Sequence, residues 1–296
     1  MISMTKESYT EWAGCRRVSY GFNHTSPDVN TMLTYVNKMV SSYSKNKNSP
    51  ATGALVWIVG EITDREGCSC KLNFPKPSDT ETPDGILFND EDFNEPYLTA
   101  FDKAGYDVWL QVEPGLVDIE GLAKLVMTKY KNHPCVKGFG IDVEWFKNIE
   151  NGEPGTPLDD ETAEKVDRAV KEVNPAYSVF VKHWEPSYLP QNYRGVNNDM
   201  IFVTDSQEFE SASEMTEHYS FWSEHYEPNP VFFQIGYYGK GKRKTGIGSD
   251  EKIWKSFKKP LSDFGKYILS NLKESTQKRG IIWVDFSFTD AFELSK

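Results

Sequence analysis

Two acidic residues, Asp142 and Glu144, lie two positions apart at the end of an extended run that begins at Lys137. Because alternate side chains of a strand point to opposite faces, Gly138, Gly140, Asp142 and Glu144 are predicted to share one face. Two carboxyl groups so close in a partly dry site do not both ionise freely, so one is predicted to keep its proton near neutral pH. Such a pair has the residue types that general acid/base catalysis requires.

Eight short runs rich in β-branched and aromatic residues are the predicted strands that would position this pair. They cover residues 16–22, 54–60, 107–113, 137–144, 177–184, 200–206, 231–237 and 280–286. The stretches between them carry apolar residues at helical spacing, as in Met32, Leu33, Val36, Met39, Val40 and Tyr43. This alternation predicts parallel strands joined by helices. We therefore expect an α/β fold, a single (β/α)8 TIM barrel that forms one domain over residues 1–296.

The loops that follow the strands of such a barrel form its functional face, which places Asp142 and Glu144 at the mouth of the fourth strand, facing the barrel axis. Polar and aromatic residues at the other strand ends are predicted to bind substrate there: Gln111, Glu113, Lys182, Trp184, Asp205, Gln234, Tyr237, Trp283 and Asp285. Parity predicts that Gln111 points inward with Glu113, and Trp283 with Asp285. Alternatively, Asp142 caps a loop and Glu144 pairs with Lys182.

Three segments depart from the regular pattern. The loop 62–89 is long, with several prolines, and is predicted to wall the site. The crossover 185–199 has no helical period. The segment 238–249 is glycine-rich and carries Lys242, Arg243 and Lys244, but it lacks the spacing of a phosphate-binding loop and is predicted to be solvated. Helix starts are predicted at two capping boxes, Asp92 with Glu95 and Ser211 with Glu214, and Pro260 is predicted to divide the last crossover.

Charge and composition restrict the partners. A net charge of −11 disfavours nucleic acid and anionic lipid, and no apolar run reaches the length of a membrane helix. The four cysteines lack zinc-site spacing and are expected to be reduced, so neither a metal nor a cofactor is predicted. Residue types alone leave a weaker metal reading open for Asp142, Glu144, His183 and Asp205. Oligomeric state stays open, as does the compartment: cytoplasmic as the chain is given, or secreted if the chain is a processed form.

The fourth strand, K-G-F-G-I-D-V-E, resembles the D-G-x-D-x-D-x-E signature of family 18 glycoside hydrolases, the chitinases and endo-β-N-acetylglucosaminidases. The resemblance implies that Glu144 is the proton donor and that Asp142 positions the substrate's acetamido group. Lys137 and Gly140 stand where the family has two further aspartates. It also implies roles for Asp205 on the sixth strand and Trp283 on the eighth; in place of the tyrosine that precedes this aspartate in the family, the sequence has threonine.

These features predict a glycoside hydrolase in which Glu144 protonates the leaving oxygen and Asp142 stabilises the positive charge of the transition state. Glu113 is the reserve second carboxylate. Trp184, Tyr237 and Trp283 are expected to stack on sugar faces. A second hypothesis is a carbohydrate-binding barrel without turnover, and a third is a barrel enzyme of non-sugar chemistry.

Overall fold

The computed structural model describes residues 10–19, 21–22, 26–46, 49–63, 69–78, 81–148, 155–205, 207–240 and 247–296. The strands in this part of the chain are β1 Trp12–Arg17, β2 Thr52–Thr63, β3 Ser69–Leu72, β4 Ile86–Phe88, β5 Asp107–Val112, β6 Val136–Asp142, β7 Ser178–Lys182, β8 Ile201–Thr204, β9 Val231–Ile235 and β10 Arg279–Trp283. The α-helices are α1 Val29–Tyr43, α2 Glu95–Ala104, α3 Ile119–Tyr130, α4 Asp160–Val173, α5 Ala212–Tyr226, α6 Ser249–Lys255, α7 Pro260–Asn271 and α8 Asp285–Leu294.

Seven of the predicted runs overlap strands over most of their length, namely β2 and β5 to β10. The first run, 16–22, is misplaced: β1 spans Trp12–Arg17, and the chain leaves the strand after Arg17 and turns at Ser19. Helices follow seven of these eight strands, and the crossover after β7 has only the 3-10 helix Pro186–Tyr188 among its described residues. The strand order and the parallel pairing are those of an α/β protein with the (β/α)8 barrel fold, which confirms the predicted fold class. That residues 1–296 form one domain stays a prediction.

The chain divides into two compact units: a terminal unit of residues 1–55 and 204–296, and a central unit of residues 56–203. In the terminal unit, β10 pairs in parallel with both β1 and β9. In the central unit, β5, β6, β7 and β8 pair in parallel in chain order. The β6–β7 register makes Asp142 and Lys182 direct cross-strand neighbours.

Apolar burial explains why the helices lie where they do. In the terminal unit, α1 buries Met32, Val36, Met39 and Tyr43, and the Tyr43 hydroxyl donates to the Leu261 carbonyl at 2.7 Å. In the central unit, the buried Asn94 accepts from Trp57 Nε1 and donates to the Tyr130 hydroxyl, both at 2.9 Å. Each unit therefore has its own apolar core, and the buried Tyr43 hydroxyl and Asn94 amide within these cores are hydrogen-bonded.

The structure adds elements inside the predicted loop 62–89. Here β3 pairs antiparallel with the end of β2, and β4 pairs in parallel with β3. The apolar alternation in this stretch is too short to have indicated strands. Cys68 lies outside the described residues, as do Lys242, Arg243 and Lys244. The three described cysteines, Cys15, Cys70 and Cys135, are buried free thiols.

Helix starts follow the sequence signals with one shift. The Ser211 side chain accepts from the Glu214 amide at 3.1 Å, which caps α5 as predicted. By contrast, α2 begins at Glu95, and Asp92 accepts the amides of Asn94 and Glu95 from outside the helix. Pro260 separates α6 from α7 and occupies the first turn of α7. In the described part of the chain, every helix falls short of the length and apolarity needed to cross a membrane.

Candidate functional site

Strand β6 carries Asp142 at its last position, and two glycines allow its neighbours to approach. A Cβ atom on Gly138 would lie 1.8 Å from the Ser178 carbonyl oxygen, and one on Gly140 would lie 2.1 Å from the Phe180 ring. Both contacts are impossible for a larger residue without movement of β7. The glycines therefore bring β6 and β7 close together and fix the position from which Asp142 projects.

Asp142 lies in a buried polar cluster of the central unit, hereafter the Asp142 cluster, formed with Gln111 and Lys182. Lys182 Nζ is 3.1 Å from Oδ1 and 3.0 Å from Oδ2 of Asp142, and Gln111 Nε2 donates to Oδ2 at 3.0 Å. All three residues are at most 2% exposed. The Lys182 charge compensates the carboxylate, and the amide fills a further acceptor position, so the aspartate is held in a single orientation.

Glu144 lies beyond the end of β6, in the 3-10 helix Val143–Trp145. The strand alternation that predicted one shared face for Asp142 and Glu144 therefore stops at Asp142. The Glu144 side chain is 31% exposed, and its Oε2 is 3.8 Å from Lys182 Nζ. Lys182 thus contacts Asp142 more closely than Glu144, and the Glu144 carboxyl group is more accessible to solvent than that of Asp142.

Other predicted residues of the central unit lie at the ends of β5 and β7. Glu113 is buried, and its Oε2 accepts from the Ile62 amide at 3.2 Å, which ties it to β2. Trp184 is partly exposed and stacks on His183, with ring centroids 4.1 Å apart. His183 also stacks on Tyr188 at 4.2 Å, and its Nδ1 accepts from the Glu185 amide. An aromatic group therefore follows β7 beside Lys182.

Asp285 belongs to a second buried cluster, in the terminal unit, hereafter the Asp285 cluster. Its Oδ2 accepts from the Val18 amide at 2.6 Å, and its Oδ1 is 3.5 Å from the Arg16 guanidinium. A Cβ atom on Gly21 would lie 1.8 Å from Oδ2, so the chain after β1 closes directly over the carboxylate. Burial raises the pKa of Asp285, and the Arg16 charge and the Val18 amide offset part of this rise.

Three further predicted residues of the terminal unit are buried. Gln234 accepts from the Tyr237 hydroxyl at 2.9 Å. Trp283 is completely buried, its indole NH donates to Ser287 Oγ at 2.9 Å, and its ring packs edge-on against Trp254 of α6. The Trp283 ring therefore packs in the core against the helix layer, in contrast to the expected sugar platform, because its indole group is already enclosed by α6 and held by Ser287.

The remaining predicted residue, Asp205, is buried after β8. Burial lowers the pKa of the nearby His218, and the Asp205 charge offsets part of this decrease. Sequence reasoning did not identify His218 or Asp250. The Asp250 carboxylate accepts from the amides of Glu208 and Phe209 at 2.9 and 2.8 Å, and burial raises its pKa to about 6. A charged residue at the start of a short helix was the signal available for Asp250, and it is not specific.

The weaker metal reading gains no support in the central unit, since Asp142, Glu144 and His183 do not form a metal-binding group there among the described residues. Such a group occurs elsewhere in the same unit. Ligand atoms of Asp102, His133 and Cys135 all lie within 4.8 Å of one another. The sequence gave no indication of it, because Asp102 is 31 positions from His133.

No protein-family model and no curated protein matches this sequence. Among solved structures, the chain is similar to a proposed alpha-L-fucosidase from Bacteroides thetaiotaomicron VPI-5482, with a TM-score of 0.52 and 9% identity over 99% of this chain and 97% of the other. It is also similar to the catalytic domain of the major endoglucanase from Xanthomonas campestris pv. campestris, with a TM-score of 0.48 and 13% identity over 93% of this chain and 86% of that one. A third structure, an FMN-binding beta-glucuronidase from Facaelibacterium prausnitzii L2-6, has a TM-score of 0.47 and 11% identity over 95% of this chain and 38% of that chain.

The similarity to the first structure covers nearly the whole of both chains and agrees with the barrel fold. The class that this similarity defines is a (β/α)8 barrel. The first structure is named as a fucosidase, and at 9% identity the similarity shows the fold alone. The narrower resemblance to family 18 stays a prediction.

Proposed function

We propose that this protein is a glycoside hydrolase that acts on a neutral glycan, with Glu144 as the general acid. The observation that carries the proposal is the placement of a partly exposed carboxyl group, Glu144, directly after a buried and fully compensated one, Asp142, at the C-terminal end of a barrel strand. This end of the strands is where barrel enzymes keep their active sites. The net charge of −11 favours a neutral substrate over an anionic one.

Glu144 has the accessibility that proton transfer to a glycosidic oxygen requires. A general acid must come within hydrogen-bonding distance of the leaving oxygen, so it needs a solvent-reachable carboxyl group. Its position in a short 3-10 helix, with 31% of the side chain exposed, meets this requirement. Lys182 Nζ, 3.8 Å away, is close enough to orient the carboxyl group without forming a tight ion pair.

Asp142 is the carboxylate proposed to stabilise the transition state. It receives three polar contacts from Lys182 and Gln111, so its orientation does not depend on substrate. A fixed carboxylate near a developing oxocarbenium ion stabilises the transition state more than the ground state. Glu113 is the alternative second carboxylate, although its bond to the Ile62 amide ties it to the backbone.

Gln111 provides a further argument for a hydroxyl-rich ligand. Its Nε2 is fixed by Asp142, which leaves Oε1 as a buried acceptor with no hydrogen-bond partner among the described residues. Buried acceptors are normally satisfied, by protein groups or by an ordered hydroxyl or water. A sugar hydroxyl would supply the missing donor once the side chains that cover Gln111, which is 0% exposed, move aside. Trp184 is a partly exposed aromatic residue at the end of β7 that could stack on a sugar ring.

Residues of the terminal unit are proposed as further substrate contacts on the strand-end rule alone. These are Asp205, Gln234, Tyr237 and Asp285. Gln234 supports this assignment best, because its Nε2 is a buried donor without a hydrogen-bond partner in the described part of the chain. Trp283, also predicted to bind substrate, has the weakest support as a contact, because its ring is completely buried.

The second candidate function is carbohydrate binding without hydrolysis. The replacement of two motif aspartates by Lys137 and Gly140 favours this alternative. Gly140 is also required by the close approach of Phe180, so an aspartate there would not fit this packing. Both candidates use the same ligand class and differ only in whether Glu144 transfers a proton.

The experiment is a hydrolysis assay of the wild-type chain and of Glu144→Gln on neutral aryl glycosides, including an α-L-fucoside, a β-glucoside and an N-acetyl-β-glucosaminide, and on soluble glucans. We expect Glu144→Gln to lower kcat/KM by about 10²- to 10⁴-fold on any hydrolysed substrate. Glu185→Gln, an exposed glutamate after β7, is the matched control and is expected to retain activity.

Two results would contradict the proposal. Equal activity of the wild type and Glu144→Gln would remove Glu144 from the mechanism. Glycan binding by calorimetry without hydrolysis of any panel member would establish the binding alternative instead.

A further inference from the structure

We propose that Asp102, His133 and Cys135 form a binding site for a divalent transition-metal ion of the zinc type. The inference is independent of the proposed glycan activity. Asp102 lies on α2, and His133 and Cys135 lie in the short connection between α3 and β6. The group therefore stands at the N-terminal end of β6, whereas Asp142 is at the C-terminal end of the same strand.

The side chains supply the donor set that zinc prefers. A thiolate sulfur, an imidazole nitrogen and a carboxylate oxygen are the three protein ligand types of zinc sites, and hard cations such as Mg²⁺ or Ca²⁺ would not choose a thiolate. The three potential ligand atoms all lie within 4.8 Å of one another. Three protein ligands leave the fourth tetrahedral position for water.

The His133–Asp102 pair of ligand atoms requires only a small adjustment to accept the ion. His133 Nδ1 and Asp102 Oδ2 are 2.7 Å apart, which is a hydrogen-bonding distance. Two ligand atoms at about 2.0 Å from a tetrahedral zinc ion stand about 3.3 Å apart, so the pair must open by about half an ångström. The Asp102 and His133 side chains are 22% and 13% exposed, so an ion can reach them from solvent.

Groups around the three ligands already hold them as an outer shell would. His133 Nε2 is 3.2 Å from Glu95 Oε2, so the ring can donate its second proton to a carboxylate while Nδ1 faces the ion. Asp102 Oδ1 accepts from the Cys135 amide at 2.8 Å, which fixes the carboxylate. Carboxylate partners of ligating histidines are a regular feature of zinc sites, because they set the tautomer and the ring orientation.

The protonation states define the balance of the binding step. Burial and the Asp102 carboxylate raise the pKa of the Cys135 thiol. The thiol donates a hydrogen bond to the Leu98 carbonyl. Burial raises the pKa of Asp102, but the hydrogen bonds from Cys135 and His133 outweigh it and leave that pKa below its ordinary value. Binding therefore breaks the S–H bond, forms the metal–sulfur bond and releases the thiol proton to solvent, and His133 binds the ion through an Nδ1 that carries no proton.

The first test is a titration of the metal-stripped full chain with Co²⁺, followed by absorbance. A bound thiolate gives a sulfur-to-cobalt charge-transfer band in the near ultraviolet, and tetrahedral coordination gives intense visible bands. We expect both in the wild type, at one ion per chain, and we expect Zn²⁺ to displace Co²⁺. Apparent affinity should rise with pH, since the Cys135 thiol releases its proton when the ion binds.

Variants assign the ligands. Cys135→Ser is expected to remove the charge-transfer band, because the sulfur ligand is lost. His133→Ala is expected to remove the visible bands of tetrahedral coordination. A variant that no longer binds the ion loses both. The matched control is the double variant Cys68→Ser with Cys70→Ser, which removes the two cysteines closest in sequence and is expected to keep the spectrum unchanged. Glu95→Gln is expected to keep the spectrum and to weaken binding by about 10- to 100-fold, because Glu95 acts on His133 and not on the ion.

X-ray absorption of the zinc-loaded wild type covers the case in which a variant does not fold. We expect one sulfur at about 2.3 Å and nitrogen or oxygen ligands at about 2.0–2.1 Å. The proposal is overturned if the wild type shows no charge-transfer band at saturating Co²⁺, if the absorption spectrum contains no sulfur ligand, or if the bands persist in folded Cys135→Ser. Those outcomes would leave the three residues as a hydrogen-bonded link between α2 and the segment before β6.

Discussion

The Asp142 cluster of the central unit and the Asp285 cluster of the terminal unit both bury a carboxylate beside a cation at a strand end. Their partners differ. Lys182 contacts both oxygens of Asp142 at 3.0–3.1 Å, whereas Arg16 approaches a single oxygen of Asp285 at 3.5 Å and the Val18 amide takes the other. The first carboxylate is held by side chains and the second by the backbone.

The difference separates a cluster with an accessible acid beside it from a cluster that the chain closes over. Asp285 begins α8 and is covered by the chain at Gly21, so it connects β1 to the start of that helix. Asp142 is followed by Glu144, which solvent reaches. Burial and charge at a strand end therefore do not identify a site by themselves. The accessible group beside the buried carboxylate does so, because only an accessible group can exchange a proton with a ligand.

The largest expected effect comes from removal of the two cations. Lys182→Met should lower the free energy of unfolding by about 3–5 kcal/mol, since it leaves the buried Asp142 carboxylate without its closest counter-charge. Arg16→Met should cost about 1–3 kcal/mol, since the Val18 amide remains and burial already raises the pKa of Asp285, which favours its neutral form. Urea unfolding at neutral pH measures both.

A cost for Arg16→Met equal to that for Lys182→Met would break the distinction between the two clusters. The double variant Asp142→Asn with Lys182→Met is the control. It should recover part of the loss, because both charges are then absent.

The second expectation concerns pH and Asp250 of the terminal unit. Its pKa rises from 3.8 to about 6 in the folded protein, so the folded state keeps the proton to a higher pH than the unfolded state. Stability is therefore lost as pH rises from about 4 to about 6 and is regained on acidification, by on the order of 2 kcal/mol. Asp102 of the central unit has a lowered pKa and behaves oppositely, since its contribution is lost as pH falls below about 4.

Hydrogen exchange at pH 7 and pH 5, corrected for intrinsic rates, resolves the two units. Amides of α6 should gain protection at pH 5, and amides near Cys135 should not. Asp250→Asn should abolish the gain in protection, whereas a change at the exposed Asp290 of α8, Asp290→Asn, should keep it. An equal response of both units would refute the assignment of the effect to Asp250.

The third expectation is steric. Gly21→Ala places a methyl group 1.8 Å from Asp285 Oδ2 and should cost about 1–3 kcal/mol, because the carboxylate cannot move without losing the Val18 amide. Gly60→Ala in the central unit is the comparison. Its nearest atoms are the side-chain ends of Cys70 and Leu72 at 2.8 Å, which can shift, so a smaller loss is expected. Thermal unfolding of both variants measures the difference, and a larger loss for Gly60→Ala would contradict it.

The smallest expected effects come from two helix caps, one in each unit. Asp159 accepts from the Thr162 amide at 2.7 Å before α4, and Ser211 accepts from the Glu214 amide at 3.1 Å before α5. Asp159→Ala should cost about 1–2 kcal/mol and Ser211→Ala about 0.5–1 kcal/mol, because a carboxylate also interacts with the helix dipole. Ser213→Ala, in the first turn of α5, should stay within about 0.5 kcal/mol of wild type in the same denaturation assay. The reverse order of the two caps would count against the charge contribution.

Prediction from the sequence succeeded where the signal was local. Apolar and aromatic runs located seven of the eight barrel strands, and the capping pattern at Ser211 marked the start of α5. The first strand, β1, lies mostly before its predicted run. Prediction was less successful where a strand ended. The alternation that gave Asp142 its direction did not extend to Glu144, because the chain turns into a 3-10 helix after Asp142. The strands β3 and β4 lay in a segment whose apolar residues were too few to show a period.

By itself, the sequence determined the order and type of the main elements and the position of Asp142 at a strand end, because periodicity and capping depend on neighbouring residues. Tertiary structure alone decided which side chains meet. The β6–β7 register gave Asp142 the Lys182 charge, and the packing of α6 enclosed Trp283. The tertiary structure also placed Asp102 next to His133. Register and packing are fixed by contacts between residues far apart in the chain, which no local pattern encodes.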